Sequence, residues 1–410
     1  MVELLSLFSG IGAFEKALTN LHIPFHLVNY CELDGHASKA YSLIHGVSES
    51  LNLGDITKVD ESLLQNNIDM VAYGFPCQDI SIAGKQKGMI SNNGTFTRSG
   101  LFFEALRIIK HTRPKIAIAE NVKNLVGKFK NQFEVVLSLL EDAGYNNYWA
   151  ALNAKDFELP QNRERVIVVS IRKDVDSNIF TFPQPVSLKT RMKDFCDDEV
   201  DEKYYLSDNM IKYITTEVDW QGSKSAVVNK EIASTINTSE GSRRADSSNY
   251  ISNQFPKNFD LKKAEIIQVG NCRPTKTRDN PNQGRSYDPD GISPSLNCMG
   301  GGNREPHIVI GSTQKNAFRG DGTICPTLTS AMGQGGGHIP MLGFSDLRIR
   351  KLTPIECFRL MGFDTEDCVL LMNNKISNAQ LYKMAGNSIC VKMLEFLFCQ
   401  LFDSKDELWV

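Results

Sequence analysis

Short apolar runs alternate with amphipathic stretches through the first 171 residues. A period of two predicts strands and a period of 3.6 predicts helices. The predicted strands cover Val2–Phe8, Phe25–Tyr30, Met70–Tyr73, Lys115–Ala119, Tyr148–Leu152 and Arg165–Ile171. The predicted helices cover Gly12–Leu21, His36–His45, Gly100–Lys110 and Phe133–Ala143. This alternation predicts an α/β fold with a doubly wound, mostly parallel sheet and helices on both faces.

The pattern changes after Phe182–Pro185. Residues 183–345 are rich in Asn, Ser, Gly and Asp, and their helical periodicity is weak. Short apolar clusters recur there, which favours a loop-rich, mainly β domain over a linker. Regular periodicity returns at Leu352–Met361 and Leu381–Leu401. We therefore expect one domain from residues 1–182 and 346–410, and a second from residues 183–345.

Composition limits the class of protein. The chain is 41% hydrophobic and 23% charged, which is ordinary for a soluble globular protein. Its net charge of −3 argues against a polycation but allows a local basic face. The ten cysteines contain no CxxC pair and none has a histidine at zinc-finger spacing, so we expect reduced thiols and no metal site. No apolar run reaches the ~18 residues of a membrane span, so we expect a cytoplasmic protein.

One cysteine has the position of a catalytic nucleophile. Cys77 lies in the segment Gly74–Gln78, directly after the predicted strand Met70–Tyr73. Ligands bind outside the carboxyl ends of the strands in open α/β sheets, so this thiol is placed for chemistry. The alternative is a buried thiol that acts as a small hydrophobic side chain, which is common for free cysteine.

The loop after the first strand is typical of a nucleotide site. Gly10 and Gly12 allow a ligand to approach the backbone where a helix begins, although Glu15 occupies the place of the third glycine of the dinucleotide motif. Glu32 follows the second strand, where an acidic side chain typically binds ribose hydroxyls. Asp55–Ile56 could pair with and pack against an adenine. Alone, each carboxylate could equally be a solvated loop residue; together with the glycines they favour an adenosyl cofactor.

Two further groups are candidates for chemistry. Glu120 ends an apolar strand at the same expected edge as Cys77, which makes it a usable acid. Alternate residues of an extended segment share a face, so Gln161, Arg163 and Arg165 should point together. Two guanidinium groups suit a phosphate or a base carbonyl. The alternatives are a helix-capping carboxylate and ordinary surface charge.

Taken in order, these motifs make the chain resemble the DNA (cytosine-5)-methyltransferases. The resemblance covers almost the whole chain except residues 185–345. The blocks that carry it are Leu7–Gly12, Gly74–Gln78, Thr97–Phe103, Glu120–Val122, Gln161–Arg165, Leu352–Glu356 and Ala385–Ser388.

The resemblance implies a mechanism and a set of site residues. Cys77 would add to C6 of cytosine, Glu120 would bind N3 and the exocyclic amine, and Arg165 would hold O2 with Arg163 in support. The activated C5 would take the methyl group of S-adenosyl-L-methionine, the cofactor. Residues implied for binding that cofactor are Phe8, Gly10, Gly12, Glu32, Asp55, Ile56, Leu101 and Asn387. Residues implied for contacting DNA or the base are Gln78, Ser81, Gln161 and Thr327.

The resemblance also implies how DNA is handled. The target cytosine must leave the duplex, and residues 79–99 would close over it. Residues 183–345 would form an inserted target-recognition domain. Its candidate base or phosphate contacts are Arg273, Arg278, Arg285, Arg304 and Arg319. Thr327-Leu328 resembles the family's dipeptide near the flipped base, but Ser295-Leu296 and Thr235-Ile236 compete for that role.

The expected partner is double-stranded DNA, bound by a monomer in the bacterial cytosol or nucleoid. A restriction-modification or phage protection system, with or without a cognate restriction endonuclease, is the expected setting. One alternative is an RNA substrate, although the Pro-Cys-Gln around Cys77 matches the DNA enzymes. Another is a DNA-binding regulator without catalysis, which the intact Cys77, Glu120 and Arg165 disfavour. An amino-group methyltransferase is disfavoured because its Pro-Pro-aromatic motif is absent from the sequence.

Overall fold

The computed structural model describes residues 1–76, 98–205, 268–271, 285–287, 293–294, 307–311 and 347–403. Its strands are β1 (Val2–Leu7), β2 (Phe25–Cys31), β3 (Met70–Tyr73), β4 (Ile116–Val122), β5 (Tyr145–Asn153), β6 (Gln161–Asn162), β7 (Glu164–Arg172), β8 (Gln268–Asn271), β9 (Arg285–Tyr287), β10 (Ser293–Pro294), β11 (His307–Gly311) and β12 (Leu347–Lys351). Its α-helices are α1 (Ala13–Asn20), α2 (Gly35–His45), α3 (Phe102–Thr112), α4 (Lys130–Asp142), α5 (Pro354–Leu360), α6 (Thr365–Asn373), α7 (Asn378–Asn387) and α8 (Val391–Asp403).

A six-stranded sheet forms the centre, in the order β2-β1-β3-β4-β7-β5. The first four strands are parallel, and β7 runs antiparallel to both β4 and β5. Met70 and Ala72 face one hydrophobic cluster, whereas Val71 and Tyr73 face the other. Burial on both faces explains why β3 reads as a continuous apolar run without alternation. The predicted mostly parallel α/β sheet is confirmed.

Helices cover the two faces differently. Helices α3 and α4 contribute Phe102 and Phe133 to one cluster, while α1 and the C-terminal helices contribute Phe14 and Phe398 to the other. The rings of Phe14 and Phe398 lie 6.4 Å apart. The C-terminal segment therefore returns to complete the same core as the N-terminal half.

Charged contacts reinforce this return of the chain. On α1, Lys16 Nζ lies 2.6 Å from Asp364 Oδ2 and 2.8 Å from Asp367 Oδ2. Asn20 Nδ2 donates to Glu395 Oε1 on α8 at 2.7 Å. These contacts attach the first helix to the second and fourth helices of the C-terminal group.

A second sheet takes three of its strands, β8, β9 and β11, from the part of the chain with weak periodicity. It has four strands in the order β12-β11-β9-β8, in keeping with the expected mainly β character. Strand β10 pairs with β6 of the first half, through Ser293 and Gln161. The chain just after residue 182 stays with the first domain, since Met192 is fully buried in its core and Tyr204 Oη accepts a hydrogen bond from Asn378 Nδ2 at 2.9 Å.

Within the described residues, the stretch Asn378–Phe402 is long and apolar enough to cross a membrane, with a mean hydropathy of 1.2. Of its most apolar window, 67% is buried inside the protein. The stretch is also broken at Ser388, which ends α7 in an extended conformation. Burial of this kind is typical of core helices in soluble proteins.

Candidate active site

Four loops meet at one edge of the central sheet. They follow the carboxyl ends of the parallel strands β1, β2, β3 and β4, and they begin at Phe8, Glu32, Gly74 and Lys123. Strand β7 is antiparallel to β4, so its first residues begin at this same edge. The fold therefore brings together segments that are more than 150 residues apart in the sequence.

Glu120 and Arg165 form an ion pair at this edge. Arg165 Nε lies 2.9 Å from Glu120 Oε1, and the two side chains are only 15% and 13% exposed. In the β4–β7 register Glu120 lies opposite Ile167, two residues from Arg165, so the pair is a diagonal cross-strand contact. A partly buried carboxylate and guanidinium are thus held together beside the loop that follows β3.

The start of that loop packs directly against Glu120. A Cβ atom at Gly74 would lie 3.6 Å from Glu120 Oε2, an ordinary contact distance, so Gly74 lies directly beside the carboxylate. Asn121 Nδ2 donates to the carbonyl of Phe75 at 3.1 Å. Phe75 is 3% exposed, and its ring lies 5.6 Å from that of Phe102. The chain before Pro76 is therefore anchored next to the carboxylate, and the candidate nucleophile is the next residue in the sequence.

That next residue is Cys77, which lies outside the described residues. So do Gln78, Ser81 and Thr327, most of the segment 79–99, and the competing dipeptides Thr235-Ile236 and Ser295-Leu296. Among the recognition-domain arginines, Arg285 lies on the described backbone of β9, and Arg273, Arg278, Arg304 and Arg319 lie outside.

Arg163 has a different partner from Arg165. It is 2% exposed, and its Nη2 donates to the carbonyls of Gly386 at 3.1 Å and Ser388 at 2.6 Å. Carbonyls at the end of a helix lack partners within the helix, so a guanidinium group there satisfies them. Arg163 therefore attaches β7 to the C-terminal end of α7.

Gln161, which was expected to contact DNA, lies inside the protein. Its side chain is fully buried, and Nε2 donates to the carbonyl of Leu360 on α5 at 2.7 Å. The backbone amide of Arg163 donates to the carbonyl of Gln161. This hydrogen bond forms a tight turn at Asn162, which interrupts the extended segment. We assign Gln161 to packing between β6 and α5.

The loops after β1 and β2 are joined through one carboxylate. Glu32 Oε2 accepts from the amide of Gly10 at 2.9 Å, and Oε1 accepts from the amide of Asp34 at 2.7 Å. Burial raises the pKa of Glu32, although these two amides oppose the shift. Asn52 fixes its backbone, since Asn52 Oδ1 accepts from the Glu32 amide and Asn52 Nδ2 donates to the Glu32 carbonyl, both at 2.9 Å. Sequence reasoning missed Asn52, because it lies 20 residues from Glu32, in a different loop.

The two glycines of the first loop have different surroundings. Both have left-handed backbone angles, with φ of 56° at Gly10 and 78° at Gly12. A Cβ atom at Gly10 would meet nothing within 4 Å. A Cβ atom at Gly12 would lie 2.1 Å from Nε2 of His45, the atom hydrogen-bonded to the Ile11 carbonyl. Gly10 therefore offers an open backbone to a ligand, whereas Gly12 is required by packing between α1 and α2.

The remaining residues expected at the cofactor site have different surroundings. Ile56 is 4% exposed in the same hydrophobic cluster against which Phe8 and Leu101 pack. Asp55 caps a short 3-10 helix and accepts hydrogen bonds from the amide and hydroxyl of Thr57. Asn387 is exposed at the last residue of α7.

One further candidate was missed. Leu33 is 75% exposed although it is apolar and lies between Glu32 and Asp34. An exposed leucine beside a buried carboxylate is suited to cover a flat apolar group. The only sequence signal was an apolar residue inside a polar loop.

These residues fit an adenosyl cofactor. The open backbone of Gly10 and the Glu32 carboxylate suit a ribose, and the apolar group of Ile56, Phe8 and Leu33 suits an adenine. Within the described residues, no group of three or more His, Cys, Asp or Glu side chains could hold a metal ion. This edge of the sheet therefore carries a carboxylate, a guanidinium group and a loop that suits a nucleotide.

Known proteins resemble this chain over nearly its whole length. An orphan methyltransferase of Bacillus phage SPbeta, M.SPBetaI, is 30% identical over 98% of this chain and 97% of its own length. The type II methyltransferase M.HhaI of Haemophilus parahaemolyticus is 28% identical over 97% of this chain and 93% of its own. Among solved structures, a DNMT2 mutant of Spodoptera frugiperda has a TM-score of 0.60 at 16% identity, covering 98% of this chain and 100% of that one. A family model described as C-5 cytosine-specific DNA methylase matches residues 2–403, and the chain belongs to that family.

Proposed function

We propose that the Cys77 thiolate of this DNA (cytosine-5)-methyltransferase attacks a cytosine flipped into the edge of the sheet formed by Gly74–Pro76, Glu120 and Arg165. The observation that carries the proposal is the partly buried Glu120–Arg165 ion pair beside Gly74, three residues before Cys77 in the sequence. A carboxylate and a guanidinium beside a thiol match the ring nitrogen, carbonyl oxygen and C6 of one pyrimidine.

The reaction follows from these groups. The Cys77 sulfur forms a bond to C6, and the electron pair of the C5–C6 double bond becomes available at C5. Glu120 hydrogen-bonds N3 and the exocyclic amine and Arg165 binds O2, so both stabilise charge that spreads over the ring. When bound, S-adenosyl-L-methionine would supply an electrophilic methyl group to C5, and the electron pair of the broken sulfur–methyl bond would stay with S-adenosyl-L-homocysteine. The C5 proton then leaves to a base, for which water suffices, and the sulfur–C6 bond breaks to release 5-methylcytosine.

The methyl donor would lie over the loop after β1. Gly10 offers its backbone, and Glu32 accepts from the ribose hydroxyls. Phe8, Ile56 and Leu101 supply apolar contact, and Asp55 pairs with the adenine amine. Gly12 supports the loop from beneath through its packing on α2, and Asn387 closes the site from the end of α7.

Arg163 and Gln161 support the elements that form this site. Arg163 holds the end of α7 and therefore positions the strand that carries Arg165. Gln161 joins the same region to α5. We therefore propose that Arg163 acts through Arg165 and does not touch the base itself.

We propose that the remaining contacts with DNA come from segments outside this core. Residues 79–99, including Ser81, close over the flipped base next to Gln78. The DNA sequence is read by the recognition domain, which is inserted between the two segments of the catalytic domain, with Thr327 near the base pocket. The burial of Met192 and the hydrogen bond between Tyr204 and Asn378 favour a recognition domain that begins after residue 205 and ends at Lys351. It therefore begins later than the expected residue 183 and ends later than the expected residue 345.

The setting we propose is a restriction-modification or phage protection system in the bacterial cytoplasm, with the enzyme acting as a monomer on duplex DNA. M.HhaI is named a type II methyltransferase, and M.SPBetaI is named an orphan methyltransferase. A cognate restriction endonuclease belongs to the first setting and not to the second.

Methyl transfer to defined substrates tests the substrate and the chemistry together. The chain and its Cys77→Ser variant are incubated with tritiated S-adenosyl-L-methionine and either duplex DNA or tRNA, and the modified base is located by bisulfite sequencing. The proposal requires 5-methylcytosine in DNA at one sequence, made only by the unsubstituted chain. Transfer to tRNA alone, or undiminished transfer by Cys77→Ser, would contradict it.

A further inference from the structure

An ion pair joins a C-terminal helix to the loop that follows β2. Lys383 Nζ on α7 contacts Asp34 Oδ2, and the two residues are 349 positions apart in the chain. Their side chains are 39% and 30% exposed. Such a contact fixes α7 against the N-terminal half at one defined point.

Asp34 transmits this contact to the carboxylate of the proposed cofactor site. Its Oδ1 accepts from the amides of His36 at 2.9 Å and Ala37 at 3.2 Å, and so caps α2. Its own amide donates to Glu32 Oε1 at 2.7 Å. A displacement of Asp34 would therefore displace one of the two amides that orient Glu32.

Helix α7 is also fixed at its C-terminal end. Arg163 binds the carbonyls of Gly386 and Ser388 there. Asn387 lies one turn beyond Lys383, on the same side of the helix. The helix is thus held between the strand that carries Arg165 and the loop that carries Glu32.

We propose that Lys383 is a positioning residue for the methyl donor, acting through Asp34 on Glu32 and Gly10 without touching the donor. The inference rests on the proposed placement of S-adenosyl-L-methionine at Glu32. Burial acts to raise the pKa of Asp34, but Lys383 and the amides of Ala37 and His36 outweigh it and hold the pKa below 3.8. The pair therefore stays charged at neutral pH.

The test is a double-mutant cycle read by binding of S-adenosyl-L-methionine in titration calorimetry. Asp34→Asn keeps the capping oxygen of α2 and removes only the charge. Lys383→Met removes the ammonium and keeps the aliphatic chain. Each variant should raise Kd about fivefold, the upper range for a partly exposed ion pair. The double variant should match the single variants, because they break one interaction.

Two further properties separate positioning from general stability. Lys383→Arg should restore the wild-type Kd, and the loss in Lys383→Met should shrink at high salt. The matched control is Lys392→Met, since Lys392 is also 39% exposed and pairs with Glu395 on its own helix. That control should leave Kd unchanged.

The outcomes distinguish this inference from the proposed function. An unchanged Kd in Lys383→Met, additive losses in the double variant, or an equal loss in Lys392→Met would overturn the positioning role. Glu32→Gln serves as the reference: if it weakens binding and Lys383→Met does not, only the inference fails. If Glu32→Gln also leaves Kd unchanged, the proposed cofactor site fails with it.

Discussion

At the scale of single residues, Glu120 contributes most to the proposed chemistry. It is held between Arg165 and the backbone of Gly74, so its position is fixed before substrate binds. Preorganised groups of this kind stabilise charge without reorganisation in the transition state. The role of Glu120 should therefore lie in the methyl transfer step and not in cofactor binding.

Glu120→Gln should lower kcat by about 10²–10⁴-fold, because an amide cannot act as an acid at N3. Binding of S-adenosyl-L-methionine should be unchanged. Rapid-quench methylation assays and titration calorimetry measure the two quantities. The matched control is Glu104→Gln on α3, whose carboxylate lies 3.0 Å from Arg107 Nε in a more exposed ion pair. Full activity in Glu120→Gln would argue against its role.

Glu32 should make cofactor binding sensitive to mild acid. Burial raises its pKa above the ordinary glutamate value of 4.5, so it takes up a proton at a higher pH than an exposed glutamate. Affinity for S-adenosyl-L-methionine should fall as pH decreases through this raised pKa. For folding the sign is opposite: the raised pKa contributes stability that is present below pH 4.5 and lost as pH rises through the folded-state pKa. Glu32→Gln should bind S-adenosyl-L-methionine more weakly, and its affinity should not change with pH in this range. If the variant keeps the pH dependence of the unsubstituted chain, a group other than Glu32 causes it.

At the scale of elements, the loop between β1 and α1 combines a ligand surface with a packing constraint. Both glycines have positive φ, so the backbone strain of an alanine is similar at the two positions. The difference lies in the space around each Cβ. Comparing an alanine substitution at Gly10 with one at Gly12 therefore separates the effect of packing from that of backbone conformation.

Gly12→Ala should destabilise the protein by about 2–4 kcal/mol, because the new Cβ displaces His45 and adds overpacking to backbone strain. Gly10→Ala should cost about 1–2 kcal/mol and instead weaken cofactor binding. Thermal unfolding and titration calorimetry measure both effects. Equal destabilisation by the two substitutions would contradict the assigned roles.

The pattern of apolar positions predicts most elements near the site but not their connections. Strands β1, β3, β4 and β7 agree with the predicted runs because burial on both faces demands continuous apolar residues, whereas the short strand β6 was not predicted. Helix α6 was missed, since its first turn is polar and its start is fixed by a capping box between Asp364 and Asp367. The break at Ser388 was missed as well, because Leu381–Leu401 remains apolar across it. Partners such as Asn52 and Lys383 could not be predicted, since they depend on contacts between distant parts of the chain.

At the scale of the whole molecule, the last helices belong to the catalytic core and not to a separate unit. Phe398 is fully buried, and its ring packs against Phe14 of the first helix and Phe402. The sequence indicated this return only through its resemblance to a known family. Periodicity alone did not say which face the C-terminal helices would cover.

Phe398→Ala should therefore destabilise the whole catalytic domain by about 3–5 kcal/mol, as expected for a large cavity in a shared core. Denaturant unfolding followed by circular dichroism measures the change. Leu4→Ala in β1 gives the reference, since Leu4 is fully buried in the same cluster. A Phe398→Ala variant that unfolds only its C-terminal helices, with the sheet unaffected, would contradict a shared core.

The central claim is that Cys77 forms a bond to C6 of a flipped cytosine, and one measurement tests it directly. Duplex DNA with 5-fluorocytosine at the target position blocks loss of the C5 substituent, so the adduct should persist after methyl transfer. A second cysteine, Cys390, lies near Arg163, Arg165 and Glu120, but burial raises its pKa to about 11, which makes Cys390→Ser a matched control. The account predicts a covalent complex that maps to Cys77 by mass spectrometry, persists in Cys390→Ser and is lost in Cys77→Ser. A complex that maps to another residue, or methylation of target DNA with no complex, would contradict it.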